Sequence, residues 1–112
     1  MATKNGETFV AEQIRSILSQ LGEEDELVIS DDGSSDQTLE IVQSFLDQRI
    51  KVITNPSGGL VANFENALRH ANGDYVFLAD QDDVWKQNKV ERMKTFMERY
   101  GLVVCDCEVW GV

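Results

Sequence analysis

Three carboxylates stand within four positions of the sequence, at Asp80, Asp82 and Asp83, directly after an apolar run. Like charges this close raise one another's pKa unless a positive species lies between them. Carboxylate oxygens are preferred ligands of Mg²⁺ and Mn²⁺, and such an ion keeps coordination positions for phosphate oxygens. The cluster is therefore predicted to bind a divalent metal and a diphosphate. The alternative is that these residues are the acidic start of a following helix, whose dipole favours them without a metal.

A second acidic motif, "DDGSSD", begins at Asp31 and follows another apolar run. A carboxylate such as Asp32 at the end of a strand can accept a hydrogen bond from a base N–H. Ser34 and Ser35 would head a helix whose N-terminus could face an anion. The same residue types also form turns and caps for local reasons, so both interpretations stay open.

The elements that must position these motifs follow from the hydrophobic periodicity. Helical and strand patterns alternate along the chain. Helices are predicted over residues 7–22, 37–46 and 61–71 and after the acidic cluster as far as residue 100, and strands over 26–30, 50–54, 74–79 and 102–110. Ser34 and Gln37 have the spacing of a capping box. On the third helix, Asn63 and Arg69 are interpreted as surface residues, with an approach to a phosphate as the alternative.

This alternation indicates an α/β protein with a Rossmann-like open, mostly parallel sheet and helices on both faces. Ligands of such sheets bind outside the carboxyl ends of the strands, so the two acidic motifs are expected to face one crevice. These folds usually begin with a strand, whereas "MAT" offers only a stub, so most of the first strand is expected to be lacking. The strand edge left open would invite pairing, which leaves a homo-oligomer as an alternative.

Composition excludes several classes of partner. The 112 residues suit one domain, 1–112, and a net charge of −10 with a pI near 4.4 argues against nucleic acid and anionic membranes. No apolar run approaches the ~20 residues of a membrane span. No signal peptide is evident. Cys105 and Cys107 are expected to be reduced, small fillers on a strand, which favours a cytoplasmic location.

Five stretches together carry a family resemblance: "MATKNGETFVAEQIRSILSQ", "ELVISDDGSSDQTLEIVQSF", "NPSGGLVANFENAL", "ANGDYVFLADQDDVW" and "NKVERM". In their order and spacing they resemble the N-terminal, nucleotide-sugar-binding half of an inverting family 2 glycosyltransferase with the GT-A fold. The resemblance is closest to bacterial members that build polysaccharides, including rhamnosyltransferases. It implies a partial domain that uses a UDP- or dTDP-linked sugar and a glycan or lipid-linked acceptor, in the cytoplasm or at the inner face of the membrane.

The resemblance also implies roles for particular residues. Asp32 would bind the nucleotide base, with Thr3 in the loop beside it. Asp80-Gln81-Asp82 would be the Asp-x-Asp motif of the family, so that Asp80 and Asp82 contact the nucleotide. Asp82 and Asp83 would hold the metal, Mn²⁺ or Mg²⁺, and the ribose, with the metal bridging the donor diphosphate.

Two departures from the family pattern bear on activity. Lys4 stands where the family commonly has an aromatic residue that packs on the base. No catalytic residue is assigned, because the family's base belongs to a later acidic motif, in an acceptor half that this chain is expected to lack. Two alternatives therefore remain: a non-catalytic remnant, and a Mg²⁺-binding receiver domain. A receiver also needs a Lys at the end of its fifth strand, which "LVVCDCEVW" does not offer.

Overall fold

The computed structural model describes residues 1–110; Gly111 and Val112, the last two residues of the predicted domain, lie outside the described residues. Three strands and four helices are numbered here in chain order. They are β1 (Ala2–Thr3), α1 (Val10–Leu18), β2 (Leu27–Asp31), α2 (Thr38–Ser44), β3 (Ile50–Thr54), α3 (Leu60–Arg69) and α4 (Lys89–Met97). The predicted alternation of helices and strands is confirmed from β1 to α3.

The sheet is parallel and runs in the order β1-β2-β3. On the free side of β1, Ala2 forms one further parallel bridge, to Asp80. Across the sheet the order is therefore β3, β2, β1 and then Asp80. The chain steps outward from β1 to β3 and then returns to the opposite side of β1, which makes the gap between β1 and Asp80 a topological switch point.

Strand β2 is buried along its whole length because helices cover both of its faces. Ile29 belongs to the apolar core with Ile14 of α1 and Val42 of α2. The next residue points the other way, and the Ser30 hydroxyl accepts a hydrogen bond from Asn66 of α3 at 2.8 Å. Helices α1 and α2 thus lie on one face and α3 on the other, which confirms the predicted open α/β architecture.

The start of α2 differs from the predicted capping box. The backbone N–H of Thr38 donates to the Asp36 carboxylate at 2.9 Å. The Ser34 hydroxyl instead donates to Asp31 at 2.6 Å, and the Gln37 side chain makes no cap bond. The prediction of a Ser34/Gln37 box is wrong because the buried Asp31 carboxylate takes the Ser34 hydroxyl and Asp36 lies closer to the first free N–H.

The predicted strand over residues 74–79 is also wrong within the described part of the chain. The segment runs toward the sheet but makes only the single bridge at Asp80. A strand forms only where a neighbour accepts and donates its backbone hydrogen bonds. The strand beside this segment is β1, which begins at Ala2, and Ala2 pairs with Asp80. The apolar residues before Asp80 therefore have no strand residue to pair with.

The predicted last strand, residues 102–110, does not form either. Leu102 and Val104 are exposed, and so are Cys105 and Cys107, which are therefore not the buried fillers that the sequence predicts. No ladder joins this segment to the sheet, so its backbone has no reason to hold an extended conformation. Helix α4 is only partly covered: Val90 is its buried residue, whereas Phe96 is exposed.

None of the four helices in residues 1–110 combines the length and apolar character that a bilayer crossing demands.

Candidate functional site

A crevice of about 280 Å³ opens at the switch point, beside the carboxyl ends of β1 and β2. Most of its lining is polar, and much of it is acidic. The lining residues are Ala2, Thr3, Lys4, Asp32, Leu60, Asn63, Asp80, Gln81 and Asp82. Both acidic motifs of the sequence therefore contribute to one site, as their positions at the ends of apolar runs predict.

Asp31 is a buried carboxylate that holds β1, β2 and the following turn together. It accepts hydrogen bonds from the Thr3 hydroxyl at 2.7 Å and from the backbone N–H of Ser34 at 2.8 Å, besides the Ser34 hydroxyl. Asp31 and Thr3 are almost inaccessible to solvent. Thr3 lies at the end of β1 rather than in a loop, and its hydroxyl is committed to Asp31.

Asp32 points the other way, toward the crevice, and is anchored by three donors. It accepts from the Asn55 amide at 2.9 Å and from the Gly59 backbone N–H at 3.1 Å, and Lys4 Nζ lies 3.4 Å away. The bond from Gly59 is the main cause of a lowered pKa at Asp32, followed by those from Asn55 and Lys4. Gly59 has φ 92°, which favours glycine, and it immediately precedes α3. Asp32 therefore fixes the start of α3.

Gln81 joins the two sides of the crevice. Its amide oxygen accepts from the Lys4 N–H at 2.9 Å, and its amide N–H donates to the Lys4 carbonyl at 3.0 Å. The Gln81 side chain thus takes the place of a neighbouring strand for Lys4. A Cβ on Gly6 would lie 2.3 Å from Gln81 Oε1, so a glycine is needed there for this close approach.

The Asp80–Asp83 cluster has few partners among the described residues. Burial of the carboxyl, and then the charges of Asp83 and Asp82, raise the pKa of Asp80. The backbone is held in place because Gln13 Nε2 donates to the Asp80 carbonyl at 2.7 Å. Within residues 1–110, no group of three His, Cys, Asp or Glu side chains is placed to hold a metal ion. A metal here would need ligand oxygens from elsewhere, such as a diphosphate.

The structure brings together the four predicted nucleotide-binding residues, Thr3, Asp32, Asp80 and Asp82, whereas Asp83 is not among the lining residues. Trp85, which follows the acidic cluster, packs against Phe77 with ring centroids 5.7 Å apart.

Sequence reasoning missed two features of this site. Gln81 was treated only as the middle of an acidic motif, and Asn63 was interpreted as a surface residue although it is 2% exposed. The sequence signal for Asn63 was weak, because a polar amide in a helix is usually a surface residue.

The fold and crevice define an open parallel α/β domain with a crevice at its switch point. The whole-chain comparison is more specific: the model of "Glycosyl transferase family 2" matches residues 1–111. The chain belongs to glycosyl transferase family 2.

Curated relatives agree with this assignment. The chain is 38% identical over 98 residues to the UDP-Glc:alpha-D-GlcNAc-diphosphoundecaprenol beta-1,3-glucosyltransferase WfgD of Escherichia coli, covering 87% of this chain and 39% of that protein. It is 36% identical over 99 residues to the dTDP-rhamnosyl transferase RfbG of Shigella flexneri, covering 81% of this chain and 34% of that protein. The chain thus spans between 34% and 39% of the length of these two relatives.

Among solved structures, the chain is similar to S. aureus TarS 1–349 in complex with UDP. The TM-score is 0.79 at 28% identity, and the match covers 89% of this chain and 31% of that one. The predicted GT-A type fold is thereby confirmed.

Proposed function

We propose that this chain binds the nucleotide part of a nucleotide-diphosphate sugar and serves as the donor-binding part of a glycosyltransferase for bacterial polysaccharide or cell-surface glycan synthesis. The observation that carries the proposal is the meeting of Asp32 with Asp80 and Asp82 in one crevice at the carboxyl edge of a parallel sheet. Names of relatives point to the nucleotide: UDP for WfgD and TarS, dTDP for RfbG. A pyrimidine nucleoside diphosphate is therefore the proposed ligand.

Asp32 is proposed to contact the base. A carboxylate offers about four lone-pair positions, and Asn55, Gly59 and Lys4 take three. One acceptor position remains for the N–H of a uracil or thymine ring. Because the lowered pKa keeps Asp32 ionised, that hydrogen bond would be charge-assisted. Thr3 would contribute its position at the end of β1 rather than its hydroxyl, which Asp31 already holds.

Asp82 and Asp83 are proposed to hold Mn²⁺ or Mg²⁺. Their chemistry fits a hard cation, because both are exposed carboxylates; burial and then their charges raise the pKa of Asp80 beside them. Two carboxylates leave most of the coordination shell for diphosphate oxygens and water. When bound, the metal would stabilise the negative charge of the leaving diphosphate.

The acceptor is proposed to be a glycan or a lipid-linked sugar, at the cytoplasmic face of the membrane, by analogy with the diphosphoundecaprenol in the name of WfgD. Transfer requires a base to take the proton of the acceptor hydroxyl. We assign that role to none of the crevice carboxylates, because each has a proposed role on the donor side.

Calorimetry tests the proposal. UDP and dTDP are titrated into the chain with Mn²⁺ and again with the metal chelated. We expect Mn²⁺ to strengthen binding of at least one nucleotide in the wild type and in Glu24→Gln, a matched change of an exposed acid away from the crevice. Asp82→Asn should lose the metal dependence. Absence of nucleotide binding would refute the donor site, and equal affinity with and without Mn²⁺ would refute the metal.

A further inference from the structure

The crevice contains one buried side-chain atom whose hydrogen-bonding capacity is unused. The Asn63 Oδ1 is buried and has no hydrogen-bond partner among the described residues. The other end of the same amide is engaged, since Nδ2 donates to the Thr3 carbonyl at 3.1 Å. Buried polar atoms are nearly always paired, so an unpaired acceptor at a ligand site calls for a ligand that brings a donor.

The orientation of this amide is fixed by its neighbour. The Thr3 carbonyl oxygen accepts a second hydrogen bond, from the backbone N–H of Asp32 at 3.0 Å. The side-chain atom of Asn63 that faces this oxygen must therefore be a donor. Exchanging the oxygen and nitrogen of Asn63 would set its Oδ1 against the Thr3 carbonyl, placing two acceptors together. The unpaired atom is therefore the oxygen.

The side chains that bring N–H donors to the crevice direct them to groups other than Asn63 Oδ1. Lys4 Nζ donates to the Asp32 carbonyl at 2.9 Å and approaches the Asp32 carboxylate. Gln81 Nε2 donates to the Lys4 carbonyl. Two further lining side chains, Asp80 and Asp82, are carboxylates and act as acceptors when ionised.

A nucleoside diphosphate has few groups that could donate to Asn63. Its phosphate oxygens are ionised and only accept, which leaves the ring N–H of the base and the ribose hydroxyls. The proposed function assigns the ring N–H to Asp32. We infer that Asn63 Oδ1 accepts a hydrogen bond from a ribose hydroxyl of the bound nucleotide, and that Asn63 is a specificity-determining residue for the sugar of the nucleotide. This inference rests on the proposed function.

A second asparagine on the same helix provides a matched control. Asn66 also anchors α3 to the sheet, donating to the Ser30 hydroxyl at 2.8 Å and to the Thr54 carbonyl at 3.1 Å. It does not line the crevice. Changing Asn66 to leucine removes an anchor of α3 without removing an acceptor from the ligand site.

The test compares UDP, 2′-deoxy-UDP and 3′-deoxy-UDP by calorimetry in the presence of Mn²⁺. One neutral hydrogen bond is worth about a 3- to 10-fold difference in affinity, so the wild type should prefer UDP over one deoxy analogue by roughly that factor. In Asn63→Leu that preference should fall to about one-fold, whereas Asn66→Leu should keep it. If the preference that Asn63→Leu loses is the one for the 2′-hydroxyl, the wild-type site selects UDP over dTDP.

Equal binding of all three nucleotides by the wild type would overturn this inference even if the leucine variant does not fold. So would an unchanged preference in Asn63→Leu. Both results leave nucleotide binding itself intact, and so differ from a wild type that binds no UDP, which would overturn the proposed function and this inference together.

Discussion

The two walls of the crevice are both acidic, but they differ in how far their carboxylates are hydrogen-bonded. On the wall made by the ends of β1 and β2, the carboxylates of Asp31 and Asp32 each accept several hydrogen bonds. On the acidic wall, defined as Asp80–Asp83, burial and then the charges of Asp83 and Asp82 raise the pKa of Asp80. Satisfied carboxylates stabilise a fold, whereas unsatisfied ones in a crevice indicate a site for a ligand.

The largest expected effect is on the first wall. Asp31→Ala would leave the Thr3 hydroxyl and the Ser34 N–H without their acceptor in a buried place. We expect the free energy of unfolding to fall by about 3 kcal/mol, since each orphaned buried group costs roughly 1–3 kcal/mol. Urea denaturation measures this change.

Asp82→Ala on the acidic wall is the matched control for that experiment. It removes a carboxylate that only repels its neighbours, so stability should change by less than about 0.5 kcal/mol. Equal losses for Asp31→Ala and Asp82→Ala would show that the two walls do not differ in the way described.

The amino group of Met1 is bound to β2, outside the lining of the crevice. It donates to the Val28 carbonyl at 2.7 Å, and burial lowers its pKa from the ordinary 8.0 to about 6, against the opposing effect of Asp80. Because the unfolded chain then binds the proton more tightly, stability should rise between pH 6 and pH 8, by up to about 2–3 kcal/mol.

Urea denaturation at pH 6 and pH 8, on chain that retains Met1 as a free amino terminus, measures this rise. N-acetylated protein should lack it, because no amine remains to titrate. A rise of the same size in the acetylated protein would assign the pH dependence to another group.

Asp32→Ala should weaken UDP binding by about 10- to 100-fold, which corresponds to a charge-assisted hydrogen bond of roughly 1.5–3 kcal/mol. Inorganic pyrophosphate, which has no base, should bind as before. An equal loss for both ligands would mean that Asp32 acts by holding Gly59 and the start of α3 rather than by contacting the base.

The sequence predicted the strands correctly where the hydrophobic pattern coincides with an available neighbouring strand. Strand β3 has the predicted bounds, and β2 is displaced by one residue at each end. The apolar run before Asp80 has an equally strong strand pattern, but a strand also depends on its neighbour, and β1 offers only Ala2 there. Sequence periodicity carries no information about whether that neighbour is present.

The candidate site, like the fold, could be predicted only in part from the sequence. The acidic motifs could be placed at one edge of the sheet because parallel strands end together. The orientation of α3 could not be predicted, because apolar Val61 is 82% exposed whereas polar Asn63 is buried. Its burial depends on a hydrogen bond to Thr3, which lies 60 positions away in sequence. Contacts of this kind depend on tertiary structure and have no local signature.

The most direct test of the central claim is to locate the metal on the acidic wall. Mn²⁺ is paramagnetic and broadens the NMR signals of nearby amides, so ¹⁵N-labelled chain is titrated with Mn²⁺ in the presence and absence of UDP, with Mg²⁺ as the diamagnetic control. We expect UDP-dependent broadening that begins at Gln81, Asp82 and Asp83 and includes Lys4 across the crevice. Broadening strongest at the exposed acidic loop Glu23–Asp25, or unaffected by UDP, would contradict a nucleotide-linked metal site in this crevice.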